Sequence, residues 1–267
     1  RFATGVYYQA PFYKEIRDTV SDAAGNIRIK LNDIIQSQRS VQFVLGGDHY
    51  FRAFGRPFKF TTEAYLKLAD RVIVYDLENV QITYSGENNA KAYTAGVDFK
   101  LFGELVPGTD SWINFSLMNS KEDIIGDSYV RNIYDDKRNI TGSEVVSPGW
   151  VSRPNEQRYA FSMMFQDYLP NNPDYKVQLK FVYSDGLPFG PPRNNLYRGA
   201  FRSPAYKRVD LGGSRVLVRG NNKMLNKSWL SGVESIWLNL EVLNLMDFKN
   251  VNSYYWVTDI TNTQYAV

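Results

Sequence analysis

Tyr175-Lys-Val-Gln-Leu-Lys-Phe-Val-Tyr183 decides the fold class. Tyr175, Val177, Leu179, Phe181 and Tyr183 recur at every second position, with Lys176, Gln178 and Lys180 between them. Successive strand side chains point to opposite faces, so this spacing predicts an extended segment with one apolar and one polar face. The pattern repeats on both sides of this segment. Upstream, Tyr159, Phe161, Met163 and Phe165 alternate with Arg158, Ala160, Ser162 and Gln166, and Tyr93, Ala95, Val97, Phe99 and Leu101 with Thr94, Asp98 and Lys100. Phe58, Phe60, Thr62, Ala64, Leu66 and Leu68 oppose Lys59, Thr61, Glu63 and Lys67. Downstream, Ile236, Leu238, Leu240 and Val242 oppose Asn239, Glu241 and Leu243. About nine long strands follow, near 1–10, 39–52, 57–68, 91–104, 110–120, 157–168, 174–185, 205–218 and 234–246. Helix-like stretches occur only at 14–24 and 28–36.

The connections alternate in length. Those around 53–56, 105–109 and 169–173 are tight and rich in Gly, Pro and Asn, as turns are. Between them lie long ones at 11–38, 69–90, 121–156 and 186–204, and a tail from 247. The β-rich span 72–84 predicts a hairpin extending the second of these. The connection 219–233 is longer than the other tight ones. Repeated structureless connections above about 15 residues count against a compact soluble domain. Outer-membrane barrels, in contrast, combine roughly 10-residue alternating strands, short turns on one side and long loops on the other. A β-sandwich alternates in the same way, but its strands are nearer five or six residues. The expected fold is therefore all-β, an antiparallel transmembrane β-barrel, partial, with about nine membrane strands and long extracellular loops. Phe161, Phe181 and Leu240 are expected to face lipid, and Lys180 and Glu241 the lumen. Trp112, Tyr168, Tyr183, Tyr206 and Trp237 would supply the aromatic girdles of the interfaces.

Composition narrows the chemistry. The 267 residues are 43% apolar and 15% aromatic, too much ring surface for a solvated coil. No apolar run exceeds four residues, as in Val72-Ile-Val-Tyr75, whereas a spanning helix needs roughly 20. The absence of cysteine excludes disulfides, thiolate catalysis and cysteine-ligated metals. A single histidine, His49, excludes a multi-histidine metal centre. Its neighbour Asp48 points to the opposite face of a strand, so the two cannot form a catalytic dyad. Glu122-Asp123 and Asp135-Asp136 read as solvated loop carboxylates, and no calcium-loop pattern accompanies them. A net charge of +3 is too balanced to indicate nucleic acid. No catalytic site, metal site or cofactor is expected, and the chain does not read as an enzyme.

Several segments carry a family resemblance. Leu187-Pro-Phe-Gly-Pro-Pro192, Tyr197-Arg-Gly-Ala-Phe-Arg202 and Tyr206-Lys-Arg-Val-Asp-Leu-Gly212 resemble TonB-dependent outer-membrane receptors of the Bacteroidetes type. So do Tyr7-Tyr-Gln-Ala-Pro-Phe-Tyr13, Gly55-Arg-Pro-Phe-Lys-Phe60, Gln166-Asp-Tyr-Leu-Pro170, Leu240-Glu-Val-Leu-Asn-Leu-Met-Asp247, Asn252-Ser-Tyr-Tyr-Trp256 and Asp259-Ile-Thr-Asn262. The resemblance spans essentially the whole chain. It implies that residues 1–267 are the C-terminal part of an approximately 22-stranded, plugged barrel, with the plug domain and final strand absent. It further implies location in the bacterial outer membrane and TonB-coupled uptake of a bulky, scarce ligand: an iron chelate, cobalamin, an oligosaccharide or a peptide. The partners implied are outer-membrane lipid, the transported ligand, a TonB-type energy-coupling protein reached through the absent N-terminal part, and optionally a surface lipoprotein. Two other readings stay open: a non-energised outer-membrane channel, and a soluble extracellular glycan-binding β domain.

On the predicted outer loops, aromatic and guanidinium groups are the ligand-contact candidates, because rigid rings offer contact area at low entropic cost. They are Tyr13, Arg17, Tyr84, Tyr197, Arg198, Tyr254 and Trp256. Tyr255 would project away from its two neighbours, leaving Tyr254 and Trp256 on one face.

Overall fold

The computed structural model describes residues 1–21, 27–78, 81–169, 171–192, 194–219, 233–261 and 263–267. Nine long strands form one sheet: β1 (Phe2–Gln9), β2 (Gln38–Ala53), β3 (Arg56–Val72), β4 (Ala90–Val106), β5 (Thr109–Ile124), β6 (Tyr159–Leu169), β7 (Asn172–Ser184), β8 (Tyr206–Arg219) and β9 (Ser235–Val242). Each pairs antiparallel with its neighbour in sequence, and Trp150–Ser152 adds a short tenth strand beside the end of β5. All nine strands expected from the alternation are present. Among the described residues no pairing joins β1 to β9, so the sheet they form is open rather than a closed barrel. At about 3.3 Å per residue, the 17 residues of β3 extend roughly 56 Å, nearly twice the hydrocarbon thickness of a bilayer.

The turns at one end are tight for a local reason. Phe54 and Gly55 both have positive φ, 54° and 73°, the backbone of a two-residue turn whose twist matches its flanking strands. Gly108 follows Pro107 with φ 76°, the proline fixing the first turn position and the glycine taking the second. The expected connection at 219–233 falls mostly on residues 220–232, outside the described residues.

Register makes the two faces continuous from β1 to β9. Phe60 stacks on Phe99 at 6.2 Å and Phe99 on Phe115 at 6.4 Å. Phe115 then pairs with Phe161, whose ring lies 5.8 Å from Phe181. Leu45, Leu66, Leu117, Leu179, Leu211 and Leu240 share this face and are exposed. The opposite face carries Asp48, Glu63, Lys100, Asn114, Gln166, Gln178, Lys180 and Glu241. The few fully buried apolar residues lie almost entirely at the long-loop end of the sheet, where Val72, Val74, Ala90, Ala92 and Ile124 cluster.

Two expectations are corrected. Trp112, Tyr168, Tyr206 and Trp237 occupy the polar face. Trp112 pairs with Met164 in the same register that pairs Asn114 with Ser162, and Lys176 lies over the rings of both Tyr168 and Trp237. Of the five proposed girdle residues only Tyr183 is on the apolar face, stacked with Tyr159. The helix-like stretches are also mostly strand. A single helical turn, Tyr13–Ile16, precedes a hairpin of Arg17–Ser21 with Ile27–Leu31. Val20 and Ile29 are β-branched, and Ile27, Ile29 and Leu31 alternate with Arg28 and Lys30, so the segment suits a strand. The expected hairpin within 72–84 is present as Tyr75–Glu78 paired with Gln81–Tyr84.

Candidate functional site

The long connections pack together at one end of the sheet, and a set of buried ion pairs holds them there. β5 continues past its apolar stretch, and Lys121 and Asp123 take the outward face, so its last residues stand beyond the apolar band. Glu122, on the other face, is 1% exposed. Its carboxylate accepts from Arg153 Nε at 3.2 Å and from Arg198 Nη2 at 3.5 Å. Arg198 also pairs with Asp76 at 2.7 Å and donates to the Tyr75 carbonyl at 3.2 Å. Arg202 joins two further buried carboxylates: it pairs with Glu156 and donates to Asp185 at 2.9 Å. Glu156 in turn accepts from the Ser120 N–H at 3.0 Å, and Arg158 Nε donates to Asp185 at 2.6 Å. Burial raises the Glu122 carboxyl above its ordinary range, against the pull of Arg153 and Arg198. For Asp185, burial is outweighed by the hydrogen bonds from Arg158 and the charge of Arg202, which together hold it low.

These contacts fix the 186–204 connection. It folds on itself through Pro188–Phe189 paired with Phe201–Arg202. A Cβ on Gly190 would collide with the Tyr197 carbonyl, so the chain approaches itself there as only glycine allows. Phe189 stacks on Tyr254 at 4.5 Å and lies 6.1 Å from Trp256, which brings the 186–204 connection against the 250–257 segment. Tyr254 and Trp256 thus share Phe189, and Tyr255 is exposed.

A cleft of about 780 Å³ opens on the polar face beneath these connections. Its floor is made of Tyr7 and Gln9 of β1, Gln38, Ser40 and Gln42 of β2, and Lys67 of β3. Tyr75, Ile82 and Tyr84 of the hairpin, Phe12, Arg153, Asn155 and Leu187 line the rest. Among the described residues Arg153 engages Glu122 only through Nε, and Lys67 has no partner. Glu15, the single carboxylate of the lining, is buried and accepts from the Phe12 N–H at 2.7 Å. Burial pushes the Tyr75 hydroxyl up, with Arg153 opposing and Glu122 adding to the rise. A second cleft, of about 820 Å³, lies beyond the hairpin and is lined by Arg17, Asn32, Thr83 and Tyr84.

The candidates from sequence therefore separate. Tyr84 lines both clefts and Arg17 the second. Tyr13 is exposed on the helical turn, and Tyr197 is exposed beside Phe201 at 6.0 Å. Arg198 is a half-buried strut. Glu122, read from sequence as a solvated loop carboxylate, is a buried strand residue; Asp135 closes a turn by accepting from the Lys137 and Asn139 N–H groups. His49 stacks on Phe51 at 5.7 Å on the apolar face, while Asp48 accepts from Thr61 at 2.7 Å on the other. Sequence reasoning missed Tyr7, Lys67, Tyr75 and Arg153. Lys67 and Tyr7 were readable as polar-face positions near the long-loop end of their strands; Arg153 carried no local signal.

Comparison with family models, with curated proteins and with solved structures finds no match to this chain.

Proposed function

We propose that the chain is part of an outer-membrane β-barrel receptor for TonB-coupled uptake of a bulky ligand. One observation carries the reading: an apolar sheet face runs across nine strands and, among the described residues, is left largely exposed, opposite a face of charged and amide groups. A soluble sandwich buries such a face against a second sheet about 10 Å away. Here Leu240 is 72% exposed and Leu45 63% exposed, and among the described residues only a handful of apolar ones are buried. Lipid is the solvent in which this face costs nothing, and water in a lumen suits the other. The open edges at β1 and β9 would pair with further strands of the same barrel, since unpaired backbone groups are not tolerated in hydrocarbon. The ion-paired loop end would then face outward, with the clefts beneath it receiving the ligand. The energised class, rather than an open channel, rests on the resemblance of the Leu187–Pro192, Tyr197–Arg202 and Tyr206–Gly212 segments. The test is the parent protein expressed in a Gram-negative host: it should fractionate with outer membrane and show heat-modifiable mobility in detergent. Uptake of its ligand should cease when the energy-coupling protein is deleted. A soluble, monodisperse product without detergent would overturn the reading.

A further inference from the structure

We infer that the 780 Å³ cleft on the polar face takes an acidic oligosaccharide. The inference deepens the receptor reading and rests on it. The volume lies within the roughly 300–1,000 Å³ of ligand sites. Three features of the lining select the ligand class.

The first is charge. The lining holds three cations, Arg39, Lys67 and Arg153, and one carboxylate, Glu15. Arg39 is satisfied by Asp70 at 2.9 Å, and Glu15 is spent on the Phe12 amide. That leaves in the lining Lys67, without a partner among the described residues, and Arg153, whose side-chain contact with Glu122 is through Nε alone. A guanidinium held by one nitrogen on Glu122 presents its other donors as a fork suited to a carboxylate. The second feature is the rings. Tyr7, Phe12, Tyr75 and Tyr84 line the space, and Tyr75 and Tyr84 hold each other at 6.0 Å, so flat apolar faces are presented in fixed positions. The third feature is the carboxamides Gln9, Gln38, Gln42 and Asn155. Gln38 Oε1 accepts from the Ile73 N–H and Gln42 Nε2 donates to Ser40, each at 3.3 Å, which leaves the Gln38 amide nitrogen and the Gln42 carbonyl for a ligand. Gln9 and Asn155 offer donors and an acceptor together, the pairing that adjacent sugar hydroxyls require. An aromatic iron chelate would use the rings and the cations, but its oxygens are occupied by metal and leave the carboxamides without hydroxyl partners. A neutral sugar would leave Lys67 unmatched.

Binding to the detergent-solubilised parent receptor tests this, by titration calorimetry with tri-galacturonate, its methyl ester and 2,3-dihydroxybenzoate. Tri-galacturonate should bind at least tenfold more tightly than the ester, and the difference should shrink as salt is raised. Lys67→Gln should weaken the acid about tenfold and leave the ester unchanged; Arg153→Gln should do the same, with Lys67→Gln the cleaner variant because Arg153 also serves Glu122. Equal binding of acid and ester, no effect of Lys67→Gln, or no binding of either sugar overturns the inference, as does binding of the dihydroxybenzoate alone. Heat-modifiable mobility measured on the same preparations separates these outcomes from failure of the barrel reading, because a receptor that is folded in detergent and ignores tri-galacturonate sinks only the ligand class.

Discussion

Lys180 donates to Glu241 at 2.7 Å, reaching from β7 across β8 to β9 on the polar face of the sheet. Between them β8 presents Gly212, which pairs with both Gln178 and Glu241 and puts no side chain in the way. Leu240, one residue from Glu241, stands on the other face and is exposed. A pair this open to solvent contributes about 0–1 kcal/mol, so its interest is geometric: it fixes which side of three strands is polar. Phe181, beside Lys180, turns the other way to meet Phe161.

A charge placed on the apolar face should therefore be costly where the same charge on the polar face is not. If the apolar face meets lipid, as proposed, Phe161→Lys or Phe115→Lys should destabilise the protein by about 2–4 kcal/mol, as lysine does at the midplane of a barrel wall. Ser162→Lys and Ser116→Lys, one residue along, should change stability far less. Denaturant unfolding in lipid vesicles reads the difference, and equal tolerance of both faces would contradict the orientation.

Arg202 should matter more than its position in a loop suggests. Its removal leaves Glu156 buried without its cation and weakens the hold on Asp185. Breaking a buried pair by deleting one partner costs roughly 3–5 kcal/mol. Here that cost should appear as local opening of 186–204, because Arg202 is the anchor of that segment. Arg202→Ala should make the segment a site of limited proteolysis, and Arg202→Ala with Glu156→Gln should recover part of the protection. No recovery would mean that packing, not charge, holds the segment.

Arg198 and Tyr254 offer a separation of roles. Arg198→Ala removes hydrogen bonds to Glu122 and the Tyr75 carbonyl, each charge-assisted bond worth roughly 1.5–3 kcal/mol, and the half-exposed ion pair with Asp76, worth about 0–1 kcal/mol. It should detach the Tyr75–Tyr84 hairpin and alter ligand binding indirectly, with Arg198→Lys failing to restore it because one ammonium cannot serve that fork. Tyr254→Ala should loosen the contact with Phe189 and free the 250–257 segment without disturbing the hairpin. Hydrogen exchange on the two variants should show distinct footprints; a shared one would refute the separation.

The strands were legible because a two-residue period survives in sequence wherever one face is apolar, and the tight turns carry their own Gly and Pro signals. What sequence did not yield is of two kinds. Parity along a strand outweighs residue type: Trp112 shares its face with Asn114 and Ser116, which alone places it on the polar side, although an indole near a strand end suits an interface. The Ile27–Leu31 strand likewise alternates, but its helix-compatible neighbours masked it. The second kind is long-range. Glu122 meets Arg153 and Arg198 at separations of 31 and 76 residues, and no local pattern distinguishes a carboxylate that will find two arginines from one that stays in water.

The same buried carboxylates set the pH dependence of the loop end, and their signs oppose. Asp185 is held below its unfolded value by Arg158 and Arg202, so its contribution is complete above the ordinary aspartate range and is lost as pH falls through the lowered folded value. Glu122 is raised by burial, so the folded state binds its proton more tightly than the unfolded chain does. Its contribution is present at low pH and declines as pH rises from the ordinary glutamate range through the raised folded value. Packing of 186–204 against β5 and β6 should thus be weakened on the acid side by loss of Asp185 and on the neutral side by ionisation of Glu122, with an optimum between. A fluorophore attached at Tyr197→Cys, in a chain that has no other cysteine, reports that packing across a pH series. Asp185→Asn should flatten the acid limb and leave the other, and Glu122→Gln should flatten the upper limb alone. If Glu122→Gln leaves the upper limb intact, the Arg153 and Arg198 charges have overcome burial and Glu122 stays ionised throughout.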